Sequence, residues 1–162
     1  MLVSAVGAGL LVGLAMRGSL RNLATTPVRM TAMFAAGVAL RLLALGPFGS
    51  DVQRTLFVLS VCALIVVSLT NLRLVGAPVI ALGLALNAFV IATAGGAMPV
   101  ASEAVLRSGT RPPADALHVV SDNVSPLADV IPVGPLGVYS VGDLILAVGT
   151  AMLIAGSMRT PQ

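Results

Sequence analysis

The sequence has no lysine and no tryptophan, and only one tyrosine, one cysteine, one glutamate and one histidine in 162 residues. Charged residues make up 9% of it, against about a quarter in soluble domains. So few charges cannot coat a water-facing surface, which excludes a soluble globular domain, a disordered chain and a coiled coil. The lone Cys62 sits in an apolar run, so no disulfide framework or thiolate metal site forms within one chain, and it reads as a small core residue. With four phenylalanines and one tyrosine, the chain has little to stack on bases or sugars. The formal charge of +3 comes from nine arginines scattered near the ends of apolar runs, not from a basic stripe, so nucleic acid is not an expected partner. No nucleotide-binding glycine loop, nucleophile elbow, zinc-protease helix or haem-attachment motif occurs, and no cofactor or metal site is expected.

What the chain has is apolar residues, 57% of the total, with a mean hydropathy of +1.05. They fall into five runs, near 1–16, 27–45, 55–72, 74–94 and 139–158. The expected fold is all-α, a single polytopic membrane bundle of about five transmembrane helices. Thr25 or Thr26 is placed to cap the second run, with Pro27 in its first turn. Pro78 suits the opening turn of the fourth. The link between the third and fourth runs is short enough to make them an antiparallel hairpin. The first run has no basic residues before it and two, Arg17 and Arg21, after it. That is the reverse of a secretory signal, so it reads as a retained helix. Ala5, Gly9 and Gly13 recur every four residues on one face of it, and Gly149 lies mid-way along the fifth run; such small residues let helices approach closely in lipid.

Arginine placement sets the orientation. With Met1 outside, Arg17, Arg21, Arg29, Arg73 and Arg159 fall inside with no acidic residue among them. Asp51, Arg54, Glu103, Arg107, Arg111, Asp115, Asp122 and Asp129 fall outside. This is the positive-inside pattern. It predicts a multi-pass protein of the cell membrane with its N-terminus outside and its C-terminus cytoplasmic.

Residues 95–138 form the longest connection, and a loop of that length is functional or disordered. Apolar pairs such as Val119-Val120 and Val130-Ile131 between Pro and Gly punctuation point to an ordered cap on the outer face. Gly95-Gly96 and Pro99 end the fourth helix. A short helix is expected from Ser102, its cap, through Arg107 to Gly109, and a second over 114–122. The feature order resembles a family of small bacterial multispanning proteins known only as domain of unknown function 5317. The resemblance is carried by Arg17-Gly18-Ser19-Leu20-Arg21-Asn22-Leu23-Ala24, by Gly95-Gly96-Ala97-Met98-Pro99-Val100 and by His118. It continues in Leu127-Ala128-Asp129-Val130-Ile131-Pro132 and Ser140-Val141-Gly142-Asp143. It implies a membrane location and this loop pattern, and no activity.

Five residues stand out as candidate binding residues. Arg41 and Asp143 are charges inside apolar runs, which cost at least about 2.5–3.5 kcal/mol in hydrocarbon unless they face inward with a partner. At similar depth toward the outer end, Arg41 is expected to pair with Asp143 or Asp129. Asn87 is a polar group inside the fourth run, suited to an interhelical hydrogen bond or a cavity wall. His118, with Asp122 and Asp129, is the only cluster with a base and carboxylates; one histidine and dispersed acids are too few for a metal site. The leading functional expectation is a non-enzymatic scaffold or accessory protein presenting the outer loop. The alternatives are lipid or small-molecule binding or transport through a cavity near Arg41, Asn87 and Asp143, and an outer-face enzyme using His118 and Asp129. The expected partners are the lipid bilayer and either another membrane protein or a bound lipid.

Overall fold

Each of the five apolar runs forms one helix in the computed structural model, which describes residues 2–159. Met1, counted in the first expected span, lies outside the described residues. The helices are α1 (Leu2–Ala15), α2 (Leu20–Thr25), α3 (Thr31–Leu43), α4 (Ser50–Thr70), α5 (Ala77–Thr93), α6 (Ser102–Ser108) and α7 (Val141–Arg159). Two of them, α4 with 21 residues and α7 with 19, are long and apolar enough to cross a membrane. The shorter apolar helices α1, α3 and α5 span 14, 13 and 17 residues.

Three helix starts differ from expectation. α4 begins at Ser50 and not at Thr55, taking Asp51 and Arg54 into its first turns. α3 begins at Thr31 and not near Pro27, because the chain turns at Arg29–Met30, where Met30 takes a left-handed conformation with φ of +60°, and Asn71 holds that turn. The buried Asn71 side chain accepts the Arg29 N–H at 2.7 Å and donates to the Arg29 carbonyl at 3.0 Å. The Pro27 carbonyl accepts from Arg73 at 3.3 Å. α5 begins at Ala77 and not at Leu74, because Gly76 takes a left-handed conformation with φ of +91°. A Cβ there would strike the backbone of Gly149 and Leu153.

The helices are ordered α1–α7–α5–α4–α3, an arc in which α7 packs between α1 and α5, and α4 between α5 and α3. The outermost members, α1 and α3, share no extended interface. Small residues set the close contacts. Ala5, Gly9 and Gly13 are the buried residues of α1, and a Cβ on Gly9 would come within 2.9 Å of the Ala151 carbonyl on α7. Gly83 of α5 meets Gly142 of α7, where an added Cβ would lie 2.7 Å from the Gly142 carbonyl.

One end of the arc gathers all five arginines of the expected inner side. The Ser19 N–H and the Asn22 amide both donate to the Met158 carbonyl, at 2.8 and 3.0 Å. Together with the Asn71 clamp, this ties α2, the α4–α5 link and the end of α7 into one layer. Arg17, Arg21, Arg29, Arg73 and Arg159 all belong to it.

The opposite end carries the long connection. It is ordered, but it holds more strand and less helix than expected. Strand β1 (Met98–Ala101) pairs in parallel with β2 (His118–Ser121), Met98 opposite His118. A bridge from Val100 to Asp129 adds a third segment. β3 (Ile131–Pro132) pairs with β4 (Val138–Tyr139) around a 3-10 turn at Gly134–Leu136. α6 is the expected short helix, with Gly109 left-handed at its end. Ser102 is its first residue and not its cap, and its hydroxyl bonds Asp122. The second short helix, expected over 114–122, is replaced by a turn and β2. Asp115 Oδ1 accepts the N–H groups of Leu117 at 2.9 Å and His118 at 3.1 Å, which redirects the chain into the strand. α5 stops as expected: Gly95 and Gly96 have φ of +72° and +89°, and the Gly96 N–H closes on the Ile91 carbonyl at 2.9 Å. The apolar core lies where this cap meets the helices, with Met98, Leu117 and Ala128 packed against Phe57, Val61, Val90 and Ile91.

Candidate functional site

The arc and its cap border a half-open cavity of about 380 Å³, within the lower part of the usual range for small-molecule sites of about 300–1,000 Å³. Its apolar wall comes from Phe57, Val61 and Leu64 of α4, Leu84 and Ile91 of α5, and Leu146 and Ala147 of α7. Leu2 of α1 and Arg41 of α3, at the two ends of the arc, also line it, and Met98, Val138 and Tyr139 close it from the cap. All five candidate binding residues, Arg41, Asn87, His118, Asp129 and Asp143, line this one cavity.

α7 begins with a capping box at its mouth. Ser140 Oγ accepts the Asp143 N–H at 2.9 Å, and Asp143 Oδ2 accepts the Ser140 N–H at 3.3 Å. Asn87 joins the box to α5: its Nδ2 donates to Asp143 Oδ1 at 2.7 Å, and its Oδ1 accepts from the Ser140 hydroxyl at 2.9 Å. Asn87 and Asp143 are thus both held in fixed geometry by named partners.

Arg41 does not form the expected ion pair. Its guanidinium carbon lies 4.0 Å from the centroid of the Phe57 ring, and its Nη1 is buried with no hydrogen-bond partner among the described residues. The two ion pairs among the described residues are Arg107 with Glu103 and His118 with Asp115. Asp143 is engaged instead by Asn87 and the start of its own helix, and Asp129 sits on the cap, where backbone bonds fix it. The Asp129 N–H donates to the Pro99 carbonyl at 3.0 Å, and the Asp129 carbonyl accepts from Ala101 at 2.9 Å. Arg41 therefore faces the cavity beside the Phe57 ring, with no carboxylate within ion-pair distance but with Asp143 and Asp115 near enough to act on its charge.

Asp129 is 5% exposed, and its Oδ1 has no partner among the described residues. Burial, and secondarily the nearby Asp143 carboxylate, push its pKa up to about 7. His118 turns toward Asp115, with Nδ1 at 2.8 Å from Oδ1. Asp122, the neighbour expected for it, is bonded to Ser102. His118 and Asp129 do share the cavity wall, without Asp122. Among the described residues no three His, Cys, Asp or Glu side chains gather to hold a metal ion.

Sequence reasoning missed two polar members of the site. Ser60 lies fully buried in the middle of α4, lines the cavity, and its hydroxyl has no partner among the described residues. A serine inside an apolar run is the one signal that marks it. Tyr139 closes the mouth, its hydroxyl donating to the Leu136 carbonyl at 2.6 Å. A second cavity of about 270 Å³ lies in the cap, and His118, Asp129 and Val138 line both.

A family of unknown function (DUF5317) matches residues 18–155, and the chain belongs to it. No curated protein and no solved structure matches the chain.

Proposed function

We propose that this member of the family is a five-span membrane protein that binds a small amphiphilic molecule in the cavity beneath its outer cap. The membrane part of this reading is supported by the apolar exterior. Leu11, Phe34, Leu42, Leu59, Leu82, Phe89 and Val148 are all exposed on helices, a surface that water penalises and hydrocarbon does not. It is also supported by the arginine layer at one end and by the small-residue contacts through which helices associate in lipid. On this reading the arginine end and the C-terminus are cytoplasmic, and the cap lies outside.

The binding part rests on one observation: polar groups from α3, α4, α5, α7 and the cap converge on one largely apolar cavity, and three of their atoms, on α3, α4 and the cap, are buried without a partner among the described residues. Polar groups left unpartnered in such a place cost about 1–3 kcal/mol each, and a ligand that bonds them recovers that cost. The scaffold reading drawn from sequence would use the outer surface of the cap; convergence on an interior cavity favours binding over it.

Native mass spectrometry of the detergent-purified chain tests this. The expected result is a stoichiometric small-molecule or lipid adduct that is lost in Ala147→Phe, which fills the cavity, at an unchanged melting temperature. An unoccupied wild-type chain, or equal occupancy in both, would contradict it.

A further inference from the structure

We infer that the cavity, if it is a ligand site as proposed above, selects a zwitterion: a primary ammonium joined to a singly charged anion and carried on an apolar portion. The argument comes from which polar atoms are in use. Asn87, Ser140 and the α7 N-terminus satisfy one another and Asp143. Three side-chain atoms in the wall are buried without a partner among the described residues: Arg41 Nη1, Ser60 Oγ and Asp129 Oδ1. They are of two kinds. Arg41 and Ser60, on neighbouring helices α3 and α4, offer hydrogen-bond donors and a positive charge. Asp129 offers a carboxylate oxygen and lies close enough to Asp143 for the two charges to interact. No cation is paired with either carboxylate among the described residues.

A bare anion would occupy Arg41 and Ser60 but bring a further negative charge toward Asp143. A bare amine would sit between Asp129 and Asp143 but leave Arg41 Nη1 without a hydrogen-bond partner. A zwitterion meets both needs at once, its ammonium donating to the Asp129–Asp143 side and its anion accepting from Arg41 and Ser60. The Phe57, Leu64, Leu84 and Leu146 side chains remain for the apolar portion. Such a molecule has two sources, an apolar amino acid from outside or the aminoethyl phosphate head of a phospholipid entering between α1 and α3, which share no extended interface.

The test uses the full chain in detergent and calorimetry with three probes of one skeleton: leucine, 4-methylpentanoate and 3-methylbutylamine. In parallel, bilayer discs of equal phosphatidylethanolamine and phosphatidylglycerol are examined by native mass spectrometry for the lipid retained. Two results support the zwitterion, and each names the source: leucine binding at least tenfold tighter than both truncated probes, or retention of phosphatidylethanolamine over phosphatidylglycerol. Asp129→Asn then weakens the selected zwitterion about tenfold or more, the worth of one charge-assisted hydrogen bond. Ser60→Ala, a milder change, weakens it less and serves if Asp129→Asn fails to fold. If neither arm discriminates, with the carboxylate or amine held as tightly as leucine and phosphatidylglycerol retained as well as phosphatidylethanolamine, the zwitterion is overturned, while the cavity reading survives if Ala147→Phe abolishes that binding. Absence of all binding overturns both.

Discussion

Asn87 Nδ2 donates to Asp143 Oδ1 across 2.7 Å, beside the point where Gly83 and Gly142 bring the backbones of α5 and α7 together. The polar link and the glycine contact depend on each other, because a Cβ on Gly142 would collide with the Asn87 side chain. Gly142→Ala should therefore cost about 1–3 kcal/mol through overpacking. Gly7→Ala, where nothing lies within 4 Å of the added Cβ, should be neutral or stabilise by up to about 1 kcal/mol. Denaturation of the two variants in detergent checks the contrast; equal effects would refute the contact.

Asn71 holds the turn before α3 by two bonds to Arg29 and donates to the Val67 carbonyl at 2.8 Å. Asn71→Ala removes these bonds, which are partly buried, at a cost of about 0.5–1.5 kcal/mol each. The loss should concentrate at the arginine-rich end, seen as faster amide exchange at Arg29 and Met30 than in the cap at the opposite end. Uniform acceleration across the chain would be inconsistent with a local clamp.

Arg41 is predicted to couple to Phe57 more strongly than to Asp143. A double-mutant cycle with Arg41→Gln and Phe57→Leu should give a coupling of about 0.5–2 kcal/mol, the range for cation–aromatic contacts. The cycle with Asp143→Asn should give less. The reverse order would restore the ion pair that the arrangement of charges in the sequence suggests.

Asp129 gives stability a pH dependence of definite sign. Its folded pKa of about 7 lies above the ordinary carboxyl value of 3.8, so between these limits the folded chain binds more protons than the unfolded one. Stability then falls as pH rises from about 4 to 7, by at most about 1.4 kcal/mol per unit, and levels off above. Asp129→Asn, which cannot ionise, should remove this slope and be the more stable protein at pH 8, although Asp143, Arg41 and His118 line the same cavity. Parallel wild-type and variant curves would show that the carboxyl is not buried as described.

The helices were legible because apolar runs this long have few alternatives, and the Gly95-Gly96 stop was legible because positive φ favours glycine. Arg41, Asn87 and Asp143 stood out as candidates because polar residues interrupt those runs. Their partners were not legible. Asp115 and not Asp122 holds His118 through a local turn that reading 114–122 as a helix hides, and Asp122 is taken by Ser102, twenty positions away, which no local pattern encodes. The Phe57 seat of Arg41 and the role of Ser60 depend on which faces of α3 and α4 meet, and Asn71 passes in sequence for an ordinary turn residue.

The account rests most of all on which ends of the arc lie on which side of a bilayer. Single cysteines placed in a Cys62→Ser background at Glu103 and Arg111, and at Arg17 and Arg73, can be challenged in intact cells with a membrane-impermeant maleimide. The cap positions should label at once and the arginine-end positions only after permeabilisation. Labelling of Arg17→Cys and Arg73→Cys from outside, with the cap protected, would contradict the account.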